Sequence, residues 1–321
     1  MHYITFLDDR SQKISRARRK VNIKLRGYDS KTWVLPELSY LSLPAYAIAY
    51  SPCPTYRDIY LEFVQGMQRP FTWGRYKGKL IDKIYKRVHS TCEKCVSTGR
   101  LRDFDMWNQV IQMRGSIVEE AKRTHSGDLA AISPQPSTRL VSSLDEELKM
   151  LVTFEAGLTS ALMNYQISKV ESPNLRRIFS QYFDFNVDLS FRALHQGFRG
   201  DATPDFVYKH QVVGDIKSGK WQAFFEQTMI AYALAYEEHT RQNMDYGVIF
   251  HVGIEPRRTI PAHYRTRFEI LDDPKRMRYI AVRNRKFEII HNRIDPGLPT
   301  NSEACDPECS FFMNCRGNAH A

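Results

Sequence analysis

The period of apolar positions changes along this chain, and the changes mark where helices give way to strands. From residue 55 to residue 121 apolar side chains recur at helical spacing, predicting helices over Asp58–Gln65, Lys79–Ser90 and Arg102–Lys122. Residues 125–143 are rich in Ser, Pro and Gly and read as a loop or linker. Ser143 and Glu146 then form a capping-box signature, and Leu148, Leu151 and Phe154 carry the helical spacing to about Ser168. Strand patterns begin near Phe185 with Val187 and Leu189. Two short strands follow, Phe206 to Tyr208 and Val212 to Ile216, joined by a turn at Lys209, His210 and Gln211. Trp221 to Glu238 is an uninterrupted helix former, Gly247 to Val252 a further strand, and a charged helix-or-hairpin region reaches Ile294. No internal repeat is visible. This mixture of strands and helices predicts an α/β fold. Its expected segments are a basic stretch (1–50), a helical region (51–184), a strand-bearing core (185–294) and a cysteine-rich tail (295–321).

The chemistry concentrates in TPDFVYKHQVVGDIKSGK. Side chains alternate along a strand, so Asp215 and Lys217 share a face while Ile216 turns to the core. Asp205, after Pro204, is placed to join them. Two carboxylates and the Ile216 carbonyl form an oxygen donor set suited to a hard cation such as Mg²⁺. Lys217 would hold or polarise an attacking water, and desolvation in a cleft together with the neighbouring metal is expected to lower its pKa. A solvated, charged strand face is the plain alternative for the Asp-x-Lys tripeptide. The upstream Pro-Asp and the helix after it favour a nuclease-like site.

Charge points the same way. Lys and Arg outnumber Asp and Glu by 46 to 36, a formal net charge of +10, which suits nucleic acid or an anionic membrane surface. A hydrophobic fraction of 42% with 18 Phe, 17 Tyr and 4 Trp argues for a packed core. No apolar run follows Met1, and no window holds the roughly 18 apolar residues of a membrane span, so a soluble, cytoplasmic protein is expected. Two basic clusters are candidates for holding DNA. One is Arg16, Arg18, Arg19, Lys20, Lys24 and Arg26; the other runs from Arg69 through Arg75, Lys77, Lys79, Lys83 and Lys86 to Arg87, interleaved with Phe71, Trp73, Tyr76 and Tyr85.

Six cysteines in a reducing compartment suggest metal or cluster ligation over disulfides. Cys305, Cys309 and Cys315 lie close together near the C-terminus, and Cys53 stands alone far upstream. Thiolates suit an iron–sulfur cluster or zinc, and would staple the tail to the first helical region. Unliganded buried thiols are the alternative. Cys92 and Cys95 have the C-x-x-C spacing but supply only half a zinc site.

Together CPTYRDIYL, GKLIDKIYKRV, the Asp205–Lys217 stretch with its following helix, and the terminal cysteines resemble the RecB-like branch of the PD-(D/E)xK nucleases. The similarity is to the iron–sulfur exonucleases of CRISPR adaptation modules, and most closely to the archaeal type I-A subfamily. That resemblance implies a restriction-endonuclease-like core, a mixed central sheet flanked by helices, with a helical N-terminal or inserted region. It implies a [4Fe–4S] cluster on Cys53, Cys305, Cys309 and Cys315, and Mg²⁺ or Mn²⁺ at Asp205 and Asp215. It further implies cleavage of single-stranded or end-frayed DNA, with CRISPR integrase proteins as partners and a homo-oligomer as a possible state.

The chain departs from that pattern in three places. Gly78 leads to Asp82 where the family has a histidine four residues after a glycine; Asp82 is still an oxygen ligand, and His195 is a candidate replacement, with Asp201 nearby. Gln227 and Tyr232 are five apart, about 500° of helix, so one of them is expected to reach the site. Three residues rather than two separate Cys305 from Cys309. The leading expectation is a metal-dependent DNA exonuclease that trims fragments for CRISPR spacer acquisition. A non-catalytic DNA-binding subunit of the integration complex is the second reading, and a zinc-stabilised nucleic-acid-binding protein the third.

Overall fold

A computed structural model describes residues 20–50, 52–98, 105–132, 135–183, 185–187, 189–208, 211–218, 221–222, 224–254, 262–299, 305 and 309–317. After three short 3₁₀ turns come α1 (Ala45–Ala49) and α2 (Arg57–Ile59), the latter widening into a π turn over Tyr60–Val64. The helical region is α3 (Trp73–Thr98), α4 (Met106–Gln112), α5 (Arg114–Thr124), α6 (Ser126–Ala130), α7 (Thr138–Ile167) and α8 (Leu175–Phe183). Strands β1 (Phe185–Val187), β2 (Phe191–Arg192), β3 (Asp201–Ala202), β4 (Phe206–Tyr208) and β5 (Val212–Ser218) follow. The chain continues through α9 (Phe225–Thr240), β6 (Tyr246–Ile254), β7 (Ala262–Ile270), α10 (Asp273–Asn292) and α11 (Phe312–Gly317).

The main sheet has the order β1-β4-β5-β6-β7, with β5 and β6 parallel and the other pairs antiparallel. Parallel neighbours need a crossover, and α9 provides it. Alternation along the central strands separates two apolar layers. Val212, Ile216, Val248 and Phe250 face α3, α7 and α8, whereas Val213 and Ile249 face α1, α9 and α10. A mixed sheet covered on both faces is an α/β architecture. Helix α9 is buried on nearly every side, from Phe225 through Met229 to Tyr236, as its continuous apolar sequence requires.

Several sequence expectations shift. Helix α7 starts at Thr138 with the Ser137 hydroxyl accepting from the Leu140 N–H, so Ser143 lies inside the helix and Glu146 pairs with Lys149 on its surface. The expected linker is therefore largely helical, as α6 and the first turns of α7. The expected long helix at 102–122 is broken at Met113 into α4 and α5. The charged region to Ile294 resolves into β7 and α10.

Several members of the basic clusters are committed to internal ion pairs. Arg16, Arg18 and Arg19 lie outside the described residues. Arg26 is buried, donating to Glu237 at 2.7 Å and to Asp245, and Glu237 also binds Arg276 at 2.8 Å. Lys79 pairs with Asp128 at 2.8 Å and Arg87 with Glu120 at 2.9 Å, while Tyr76 and Tyr85 pack in the core. Cys92 and Cys95 are buried in the same core, where burial pushes both thiols up.

Candidate active site

The site begins where one ladder ends. Proline has no N–H to give a ladder, and Pro204 precedes the bend at Asp205, so β4 pairs with β5 only over Phe206–Tyr208. The β5–β6 ladder runs on to Ser218. From Asp215 to Ser218 the β4 flank of β5 is therefore open, and the Asp205 carboxylate fills the notch by accepting the Ile216 N–H at 2.6 Å. A strand residue turns its N–H and C=O to the same flank, so the Ile216 carbonyl faces this notch too. Gly214, whose Cβ would fall 1.9 Å from the Phe206 ring, lets β4 pack close enough to close the corner.

Helix α3 completes the corner. Its Gly78 passes beside the end of β5, where an added Cβ would sit 3.7 Å from the Ser218 hydroxyl. One turn on, Asp82 pairs with Lys86 at 3.1 Å, and Lys86 reaches to 4.0 Å from Asp205. Asp215 is 1% exposed and pairs with Lys217. Three carboxylates and two ammonium groups thus meet at one end of the sheet, drawn from α3, the β3–β4 bend and β5.

The electrostatics follow from that crowding. Burial pushes Asp215 up to about 7, with Lys217 pulling it down and Asp205 adding like-charge repulsion. Burial, then Asp82, pushes Asp205 up to about 6. Asp82 is raised by burial in spite of Lys86. Without a metal the balance at Lys217 runs the other way from the sequence expectation: burial acts to lower it, but Asp215 and Asp205 outweigh that and raise it, so it stays an ammonium.

Of the two α9 candidates, Tyr232 is the one that feels the carboxylates. Burial and the charges of Asp215, Asp205 and Asp82 hold its phenol well above its ordinary value. Gln227 lies in the first turn of α9, with its side-chain oxygen buried and without a hydrogen-bond partner among the described residues. His195 is not part of the site. It stacks on Trp33 at 4.1 Å and its N–H donates to Glu238, near the far end of α9. The Lys217 ammonium lies 5.7 Å from the ring of Phe225 at the near end, and 13 helical residues separate Phe225 from Glu238, about 20 Å at 1.5 Å per residue. Asp201 accepts from the Ser190 hydroxyl at 2.5 Å. Lys86 was not foreseen here; its i,i+4 spacing from Asp82 was the available signal.

Among the described residues no three His, Cys, Asp or Glu side chains form a ready-made metal-ion group. The lysines hold the carboxylates instead. Yet the donor set fits a hard divalent cation: Asp82 keeps one buried oxygen without a hydrogen-bond partner among the described residues, and burial, with like-charged neighbours, raises the two further carboxylates to about 6 and about 7.

A second centre lies at the tail. Cys53, Cys305, Cys309 and Cys315 line one hollow with Arg57, and all four are free thiols. Arg57 donates to Asp295 at 2.9 Å, and Thr55 to the Gly297 carbonyl at 2.9 Å, which straps the approach to the tail onto the start of α2. Burial pushes the Cys309 thiol up to about 11 and raises Cys315, which Arg57 pulls the other way. Among the described residues no carboxylate or imidazole lines this hollow, and its four soft donors are of the kind that a thiolate-ligated metal group takes.

Comparison with known proteins agrees in kind. The family described as "CRISPR-associated exonuclease Csa1" matches residues 1–318. A curated relative from Saccharolobus solfataricus, also named CRISPR-associated exonuclease Csa1, is 24% identical over 314 residues, covering 95% of this chain and 96% of the relative. No solved structure matches the chain.

Proposed function

Because the chain belongs to the CRISPR-associated exonuclease Csa1 family, we propose that it is a metal-dependent phosphodiester hydrolase with a PD-(D/E)xK-type core. It would shorten single-stranded or splayed DNA ends before a CRISPR integrase takes up the fragment. The observation that carries this reading is the convergence of Asp82, Asp205, Asp215 and Lys217 in the gap beside β5.

Asp205, Asp215 and the Ile216 carbonyl would hold Mg²⁺ or Mn²⁺, with Asp82 as a further oxygen ligand. When bound, such an ion neutralises charge on the scissile phosphate and makes a water more acidic. The chain's own groups do the rest. Lys217, kept protonated by its carboxylate neighbours, stabilises charge developing on the phosphate oxygens and orients the water. It is the electrostatic partner of the reaction, since an ammonium has no lone pair to accept a proton. Tyr232, kept neutral, offers an O–H to the same oxygens. The four thiols would hold a [4Fe–4S] cluster that fixes the tail against α2, a structural role in line with the Arg57–Asp295 and Thr55–Gly297 bonds that strap the same segment.

The test is digestion of end-labelled single-stranded DNA with Mg²⁺, Mn²⁺ or EDTA, on protein purified without oxygen and assayed for iron and sulfide. Metal-dependent shortening is expected, with a loss of about 10²–10³-fold on Lys217→Ala or Asp215→Ala. A protein that binds DNA but leaves it intact with either metal would be a non-catalytic subunit, and the hydrolytic reading would fall.

A further inference from the structure

A second groove opens beside the site, and no part of the hydrolytic corner accounts for it. The π turn at Tyr60–Val64, the loop at Gly66–Arg69 and the first turn of α3 enclose a cleft of about 580 Å³, lined by Tyr46, Phe63, Met67, Arg75 and Arg199 among others. That volume lies within the range of ligand-binding clefts. Its third arginine, Arg69, is already committed: it packs against Glu62 at 2.7 Å and Asp58 at 3.4 Å, and Glu62 also accepts from the Tyr46 hydroxyl at 2.8 Å. The acidic group in the cleft is thereby neutralised from within.

Arg75 and Arg199 differ. Both are exposed, and neither has an ion-pair partner among the described residues. Each guanidinium lies over a ring instead, Arg75 over Phe71 at 5.1 Å and Arg199 over Phe63 at 5.9 Å, and Tyr46 leaves 45% of its surface open between them. Two guanidiniums without ion-pair partners among the described residues, beside a half-exposed Tyr46 ring that Arg69 and Arg75 approach at 5.9 and 6.0 Å, suit phosphates next to an unstacked base. A duplex hides its base faces and leaves the rings without a partner.

The cleft wall lies no more than about 21 Å from the Lys217 ammonium, as a chain of ring contacts shows. Arg69 in its wall lies 5.5 Å from the Tyr50 ring, Tyr50 packs edge-on to Phe224 at 4.5 Å, Phe224 to Phe225 at 5.1 Å, and Phe225 lies under Lys217 at 5.7 Å. A few nucleotides of single strand span such a separation. We propose that this cleft seats a single-stranded polynucleotide through Arg75, Arg199 and the Tyr46 and Phe63 rings, and delivers its end to the Asp205–Asp215–Lys217 corner. The delivery half rests on the hydrolytic reading; the binding half does not.

The experiment measures fluorescence anisotropy of a labelled oligo-dT with full-length protein in EDTA across a salt series. It compares the unaltered chain, Arg75→Ala/Arg199→Ala, Tyr46→Ala with Tyr46→Phe as its control, and Asp215→Ala. A double variant with an unchanged thermal midpoint should bind at least about tenfold more weakly, and its log K against log salt slope should flatten by about 1.4, two single-strand phosphates at about 0.7 each. Tyr46→Ala should weaken binding while Tyr46→Phe, which keeps the ring, should not. Unchanged affinity and slope in the double variant, no binding by the unaltered chain, or tighter binding of a blunt duplex than of the single strand would each overturn the cleft. Absence of metal-dependent cleavage, with the arginine effect intact, would instead overturn the hydrolytic reading and leave the cleft standing.

Discussion

Replacing Asp215 with asparagine should make the metal-free protein more stable at pH 8. The carboxylate is 1% exposed and titrates at about 7 in place of 3.8, so between pH 4 and 7 the native chain holds a proton that the unfolded chain has lost. Stability then falls as pH rises through that window, because the native state binds more protons than the unfolded one. A shift of about three units at 1.36 kcal/mol each is about 4 kcal/mol at pH 8, an upper figure because Asp205 titrates in the same window and the Lys217 ammonium interacts with both. Asparagine keeps the shape without the charge, but gives up the ion pair to Lys217, whose side chain is 27% exposed. A net gain of about 2–3 kcal/mol remains, several degrees in thermal midpoint. The assay is urea unfolding of both proteins in EDTA at pH 4, 5, 6, 7 and 8. The difference between variant and parent should be near zero at pH 4 and grow steadily to pH 8. Adding Mn²⁺ should reverse the order at pH 8, since the parent alone keeps the full oxygen set. Parallel stability curves across the whole range, or a variant that is weaker at every pH, would refute the argument from carboxylate crowding.

Three further outcomes are open to measurement. Gly214→Ala places a methyl carbon inside the Phe206 ring volume, and should cost about 1–3 kcal/mol by urea unfolding while displacing the notch enough to cut DNA cleavage. Glu237→Ala strands the buried guanidiniums of Arg26 and Arg276 and should destabilise by about 3–5 kcal/mol; a loss under 1 kcal/mol would show that solvent reaches them. Cys309→Ser should abolish the visible absorbance and lower the iron content of anaerobically purified protein, and a colourless parent would remove the iron–sulfur assignment.

What the sequence made legible was the local geometry. Alternation alone placed Asp215 and Lys217 on one face and Ile216 on the other, and the helix-forming run from Trp221 to Glu238 is a helix that begins one turn later, at Phe225. Gly78, Asp82 and Lys86 sit one turn apart, so they share a side of α3 once the helix is recognised. The rest depends on partners remote in sequence. His195 looked close to the catalytic strands, but its neighbours are Trp33 and Glu238, and no local pattern announces a stack across more than 160 residues. Arg26 looked like part of a DNA-holding basic run because its counter-charges, Glu237 and Asp245, lie over 200 residues away. Lys217 was expected to lose its proton more readily. Counting charges in the folded corner reverses that, because the carboxylates facing it outweigh the loss of water.

The thiol-lined hollow has a consequence for the unfolded chain. Bridging Cys53 to Cys305 would close a covalent ring of about 250 residues, reaching from the start of α2 to the tail and so enclosing the entire sheet. On a chain-entropy estimate a cross-link of that span removes about 5 kcal/mol of disorder from the denatured ensemble, more than most single packing contacts contribute. Its effect would appear mainly as resistance to heat and to proteases that attack opened chains, and would vanish with the inorganic bridge, leaving the folded geometry almost unchanged.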